Sequence, residues 1–102
     1  MPLETRPYDT AEYLDSQEAV AAYIDAVLED GDPALIAQAL GTVARARGMS
    51  QIARDTGLSR ESLYRALSAE GNPEFGTVLR VLKALGLRLM TAPLAAEERP
   101  TS

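Results

Sequence analysis

Apolar residues recur along most of this chain at intervals of three and four, the spacing that lines one face of a helix. Ala19, Val20, Tyr23, Ile24, Val27 and Leu28 form one such stripe and leave Asp25 and Glu29 outside it. Asp15 followed by Glu18 is a capping-box signal that opens this helix, and Gly31 ends it. Upstream, Asp9 followed by Glu12 predicts a short helical turn carrying Tyr13 and Leu14. Asp32-Pro33 restarts the chain, with aspartate at the N-cap and proline at the first helical position, where its missing N–H costs nothing. The next stripe is Leu35, Ile36, Ala39, Leu40 and Val43, closed by Arg45, Arg47 and Gly48. Those cations sit favourably at the negative end of the helix dipole.

After a turn at Gly71-Asn72-Pro73, a further helix runs from about Phe75 to Leu85. It is predicted to turn Val78, Leu79, Leu82 and Leu85 inward, and Gly86 terminates it. Leu87-Arg88-Leu89-Met90 alternates apolar and polar residues, which suggests a short C-terminal strand. The tail from Ala92 to Ser102, with two prolines and Glu97-Glu98, reads as disordered. The pattern therefore predicts an all-α bundle of five to six helices with that strand as its one exception. Three regions follow: an acidic helical region over 1–31 packed on the domain, a body over 32–91, and a tail over 92–102.

The segment Met49 to Leu67, MSQIARDTGLSRESLYRAL, carries the most information. Ala53 is small, Gly57 follows four residues later and Leu63 six after that, with Ile52, Leu58 and Leu67 as apolar supports. This is the pattern of a helix-turn-helix. Two helices that cross closely need a side chain no larger than alanine at the contact. The turn needs a residue that accepts positive φ, which glycine does without steric penalty. Ser50 is expected to cap the first helix and Ser59 the second. The ordinary alternative is a helical hairpin in a small bundle.

Composition narrows the possibilities. At 102 residues the chain is one domain with a single core. No apolar run approaches the ~20 residues of a membrane span. The N-terminus is acidic and polar where a secretory signal would be basic and then apolar, so the expected location is the cytoplasm. Cysteine and histidine are both absent. That removes disulfides, the commonest general base and the commonest metal ligand, so the chain reads as a non-enzyme with no metal, cofactor or small-molecule substrate.

A net charge of −5 conflicts with nucleic-acid binding until its distribution is read. Residues 1–44 hold nine acids against one base, whereas residues 45–65 hold five arginines against Asp55 and Glu61. The positive charge lies where the motif is, and phosphate affinity depends on charge within about a Debye length. On the second helix Arg60 and Arg65 can hydrogen-bond guanine edges bidentately or hold phosphates. Ser62 can meet either kind of partner, and Glu61 can accept from cytosine N4. Tyr64 offers a hydroxyl to phosphate and a ring to thymine methyls, or else packs half-buried. Gln51, near the start of the preceding helix, is placed for the backbone, where free N–H groups also suit an anion. Arg54 reads as a solvated surface arginine. The acidic N-terminal carboxylates are either a solvated face that keeps a small protein soluble or a surface for a basic protein partner. The strand either packs on the body or pairs with a two-fold mate, since an unpaired edge is normally covered.

The succession YDTAEYL, EAVAAYIDAVLEDGDPALIAQALGTVARARGMSQIARDTGLSRESLYRALSAEGNP and TVLRVLKALGL resembles the probable addiction-module antidote family, a branch of the Xre-like, lambda-repressor-like helix-turn-helix proteins. The resemblance covers roughly residues 8–90. It implies a small antitoxin that binds and neutralises a RelE/HigB-like messenger-RNA-cleaving toxin and represses their shared operon. Carried onto this chain, DNA reading falls on Ser59, Arg60, Glu61, Ser62, Tyr64 and Arg65, with Gln51 nearby. Ser50-Gln51-Ile52-Ala53 is shorter here than the usual Xre first helix. Three functions follow as expectations: an antitoxin that dimerises on a palindromic operator, a stand-alone phage-type regulator without a toxin, and a structural adaptor that no longer binds DNA.

Overall fold

The computed structural model describes residues 16–95. Its ordered elements are all helical, as the periodicity predicts: α1 Gln17–Asp30, α2 Pro33–Arg47, α3 Met49–Thr56, α4 Arg60–Ala66 and α5 Phe75–Ala84. The expected turn at Asp9–Glu12, with Tyr13 and Leu14, lies outside the described residues, as does the tail beyond residue 95.

One core joins all five helices. Val20 and Ile24 of α1 meet Leu40 and Val43 of α2, Ile52 of α3, Leu63 of α4, and Val81 and Leu82 of α5, with Leu67 and Leu85 closing the ends. Burying such side chains stabilises a fold by about 1.5–3 kcal/mol each. No buried side-chain nitrogen or oxygen among the described residues lacks a hydrogen-bond partner. No helix among them is long and apolar enough to cross a membrane.

The start and stop signals mostly act as expected, with two corrections. Asp32 caps α2 by accepting the Ala34 N–H at 3.0 Å, with Pro33 in the first turn. Gly31 and Gly57 close α1 and α3 in the left-handed region. Gly86 N–H donates to the Lys83 carbonyl at 2.9 Å and Leu87 N–H to the Leu82 carbonyl at 2.8 Å, a Schellman closure of α5. The cap of α1, however, is Ser16, whose hydroxyl accepts the Ala19 N–H at 3.1 Å, one residue later than the Asp15–Glu18 spacing predicts. Ser50 is not a cap either. It lies inside α3, which starts at Met49 behind Gly48 and has no side-chain cap.

Three predicted inner positions are exposed, the first of them Leu28 at 37%. Leu35 is 46% exposed, and the inner face of α2 runs instead through Ala37, Ala39, Leu40, Gly41, Val43 and Ala44. Leu79 is 41% exposed, and Val81 takes its place at 0%. The inner stripe of α5 is then Val78, Val81, Leu82 and Leu85, a regular i, i+3, i+4, i+7 set. The small residues of α2 have a packing reason. A Cβ on Gly41 would collide with the Leu67 carbonyl oxygen, so only glycine lets α2 approach the end of α4 this closely.

The predicted strand is absent: residues 87–90 carry no regular secondary structure. A strand is defined by a partner ladder, and no described segment supplies one. Leu87 is half-buried, whereas Leu89 and Met90 are exposed.

Candidate functional site

The sequence from Met49 to Leu67 folds as two short helices joined by Gly57, Leu58 and Ser59. Gly57, at φ 79°, turns the chain, and its N–H returns to the Ala53 carbonyl at 2.9 Å. Thr56 is the one buried polar residue here. Its hydroxyl donates to the Ile52 carbonyl at 2.8 Å and accepts the Leu58 N–H at 3.2 Å. The loop is thereby tied to the helix it leaves. Ser59 caps α4 by accepting the Ser62 N–H at 3.0 Å, and its own hydroxyl donates to the Ser62 hydroxyl at 2.9 Å.

Burial of Leu63 and Leu67 orients α4. Glu61 and Arg65 lie two residues either side of Leu63, on the opposite face of the helix, one turn apart. Arg60 and Tyr64 form a second exposed pair one turn apart, with Tyr64 42% exposed. Ser62 is half-buried and already engaged by Ser59. Six of the seven predicted site residues therefore fall on one short capped element, Ser59 through Arg65.

Gln51 stands apart on the exposed side of α3. Its amide nitrogen donates to Asp55 at 3.0 Å, and its amide oxygen accepts from Arg54 at 2.6 Å. Arg54 is thus held in a surface network rather than freely solvated. α3 has no side-chain cap, and the Gln51 and Ile52 N–H groups both return to the Gly48 carbonyl at 3.1 Å.

Two of the five arginines of residues 45–65, Arg47 and Arg54, are tied to neighbouring side chains. The Arg47 guanidinium hydrogen-bonds the Gln17 side-chain oxygen, which ties the end of α2 to the start of α1. The same Gln17 donates to the Leu85 carbonyl at 3.1 Å, so both are fixed to the end of α5. The Arg45 guanidinium lies beside Gly41, where α2 meets Leu67 at the end of α4. The cations free of such ties on the α4 surface are Arg60 and Arg65. Among the described residues no group of three or more acidic, cysteine or histidine side chains is placed to hold a metal.

Sequence reasoning missed a second feature. An apolar cleft of about 230 Å³ opens between the C-terminal half of α1, the start of α2 and the start of α5. Ile24, Leu28, Ile36, Phe75, Val78 and Leu89 line it, and Phe75 is 66% exposed at its edge. Helical periodicity assigns large apolar residues to a core and gives no signal for those that edge an open cleft.

The described chain is thus all-helical, with a capped surface helix that carries two arginines. A family model described as "Probable addiction module antidote protein" matches residues 4–93, and the chain belongs to that family. An uncharacterized protein of Haemophilus influenzae is 51% identical over 88 residues, covering 86% of this chain and 91% of the relative. No solved structure matches the chain. Membership supports a non-enzymatic antitoxin role, and an antidote implies a toxin that it counters.

Proposed function

We propose that this protein is an Xre-like, DNA-binding antitoxin, which represses its own operon as a homodimer and neutralises a RelE/HigB-like toxin by direct binding in the cytoplasm. The observation that carries the DNA half is the α3–α4 pair. Its second helix is capped at Ser59, anchored by Leu63 and Leu67, and presents Arg60, Glu61, Tyr64 and Arg65 outward. A helix held in this way can enter a major groove and meet base edges with its exposed side chains. Ser59, Ser62 and Gln51, with the uncapped start of α3, are suited to phosphates at the groove walls.

One such surface offers few cations, and its chain is acidic overall. Two copies on a palindromic operator, with half-sites about 34–36 Å apart, double the contacts and match a two-fold protein. The toxin is assigned to the acidic side of the molecule, where residues 17–44 hold five carboxylates and no base.

Mobility shifts on the promoter fragment upstream of the gene test this reading. Arg60→Ala or Arg65→Ala should each weaken binding by ~1–3 kcal/mol where the arginine reads a base, and rising salt should weaken the wild type steeply. Unchanged shifts for both variants would remove the assignment of α4 as the reader. A stand-alone regulator predicts the same shifts but no toxin binding by the neighbouring gene's product.

A further inference from the structure

We infer that the apolar cleft between α1 and α5 is where the toxin docks, and that its ligand is an amphipathic segment with apolar anchors and cationic flanks. The inference rests on the antitoxin reading above and assigns its protein partner to a surface. The cleft is continuous with a second recess along α1, because Ile24, Leu28, Leu82 and Leu89 line both. Together they form an open apolar trough bordered by Phe75 at one end and Met90, 72% exposed, at the other. Large exposed apolar side chains gathered around one depression mark an interaction surface more often than a solvated one. The trough is open along α1 rather than enclosed, a shape that suits the side chains of a protein segment. A helix laid in such a trough presents its anchors at i, i+3, i+4 and i+7.

The border of the trough selects the occupant. Asp25 lines the second recess, and Glu29 lies one turn further along the same side of α1. Asp32 caps α2 beside the lining residue Pro33, and Glu74 precedes Phe75 at the start of α5. Among the residues that line the two recesses the charged ones are Asp25 and Arg88, and Glu29, Asp32 and Glu74 adjoin lining residues in sequence and give the border its negative excess. A second copy of this chain docked across a two-fold axis would set carboxylate against carboxylate, which like-charge repulsion disfavours. A segment carrying lysines or arginines beside its apolar face meets both the trough and its border. The trough is also distinct from the α4 surface, so toxin and operator binding use different side chains.

The test measures affinity for the purified product of the small reading frame adjoining the gene, and for the promoter fragment, with full-length protein throughout. Phe75→Glu, at an exposed position, is expected to weaken toxin binding by about tenfold or more and leave operator binding within about twofold. The double variant Asp25→Lys with Glu29→Lys, on solvent-facing positions, should weaken toxin binding similarly and reduce its salt dependence. If wild type binds the toxin and both variants bind it equally well, the trough is not the site and the antitoxin reading stands. If wild type does not bind it at all, the antitoxin reading itself fails. If Phe75→Glu leaves toxin affinity unchanged but converts a dimer to a monomer by light scattering, a second copy occupies the trough and the inference is overturned.

Discussion

On α4 the exposed side chains are Arg60, Glu61, Tyr64 and Arg65, long and polar-tipped, while around the α1–α5 cleft they are Leu28, Phe75, Leu89 and Met90. The first surface is convex, carried by one helix whose orientation a buried leucine sets. The second is concave, assembled from three helices and the segment after α5, and edged by carboxylates. Charge on the convex surface suits a polyanion, whereas apolar walls with an acidic border suit a basic, partly apolar protein. The two share a core, Val20 through Leu85, so they can be separated by surface substitutions but not by core substitutions.

The strongest way to break the contrast is therefore from beneath. Leu63→Ala removes a fully buried anchor of α4 and should destabilise the fold by about 2–5 kcal/mol, measured by urea denaturation. Operator and toxin binding should then fall together as temperature rises. Loss of one with full retention of the other would mean that the surfaces belong to separately stable units.

Arg65→Ala sharpens the contrast in the opposite way. The operator loss of ~1–3 kcal/mol expected for this exposed side chain should come with unchanged toxin affinity in the same titration series. A matched loss of both would place Arg65 in the protein interface. Gly57→Ala is intermediate, since a Cβ at φ 79° costs about 1–2 kcal/mol by itself. It should lower the thermal midpoint and harm DNA binding before toxin binding, because the turn sets the angle of α4. Leu35→Lys is the smallest, with a stability change of about 1 kcal/mol or less, because Leu35 is 46% exposed and lines only an open recess between α1 and α2. A larger loss would show that this face of α2 is covered by something in solution.

Punctuation was the most legible part of the sequence. Asp32-Pro33, Gly57, Ser59 and Gly86 each impose a local conformation with one chemical reason, and each acts where the sequence put it. Phase was less legible. Leu35 and Leu79 resemble core residues, but Ala37, Gly41 and Ala44 face inward because helices approach closely there, and small residues leave little trace in a hydrophobic stripe. Val81 wins over Leu79 because the Val78–Leu85 spacing closes on it. The strand at 87–90 depended on a partner that no single sequence contains. Of the candidate site, the α4 set was readable from the motif, whereas the cleft arises only when α1, α2 and α5 are brought together.

Thr56 carries a consequence for how binding proceeds. Its hydroxyl bonds on both sides of the bend, to the Ile52 carbonyl and from the Leu58 N–H, and Ser59 fastens the next turn. The connection between α3 and α4 is consequently stiff before any partner arrives. A surface shaped in advance forfeits little conformational entropy when it meets its target. Discrimination among targets then resides in how long a complex lasts rather than in how often it forms. Thr56→Val keeps the volume and removes both bonds, and its signature should be a shorter-lived complex on the preferred sequence than wild type forms.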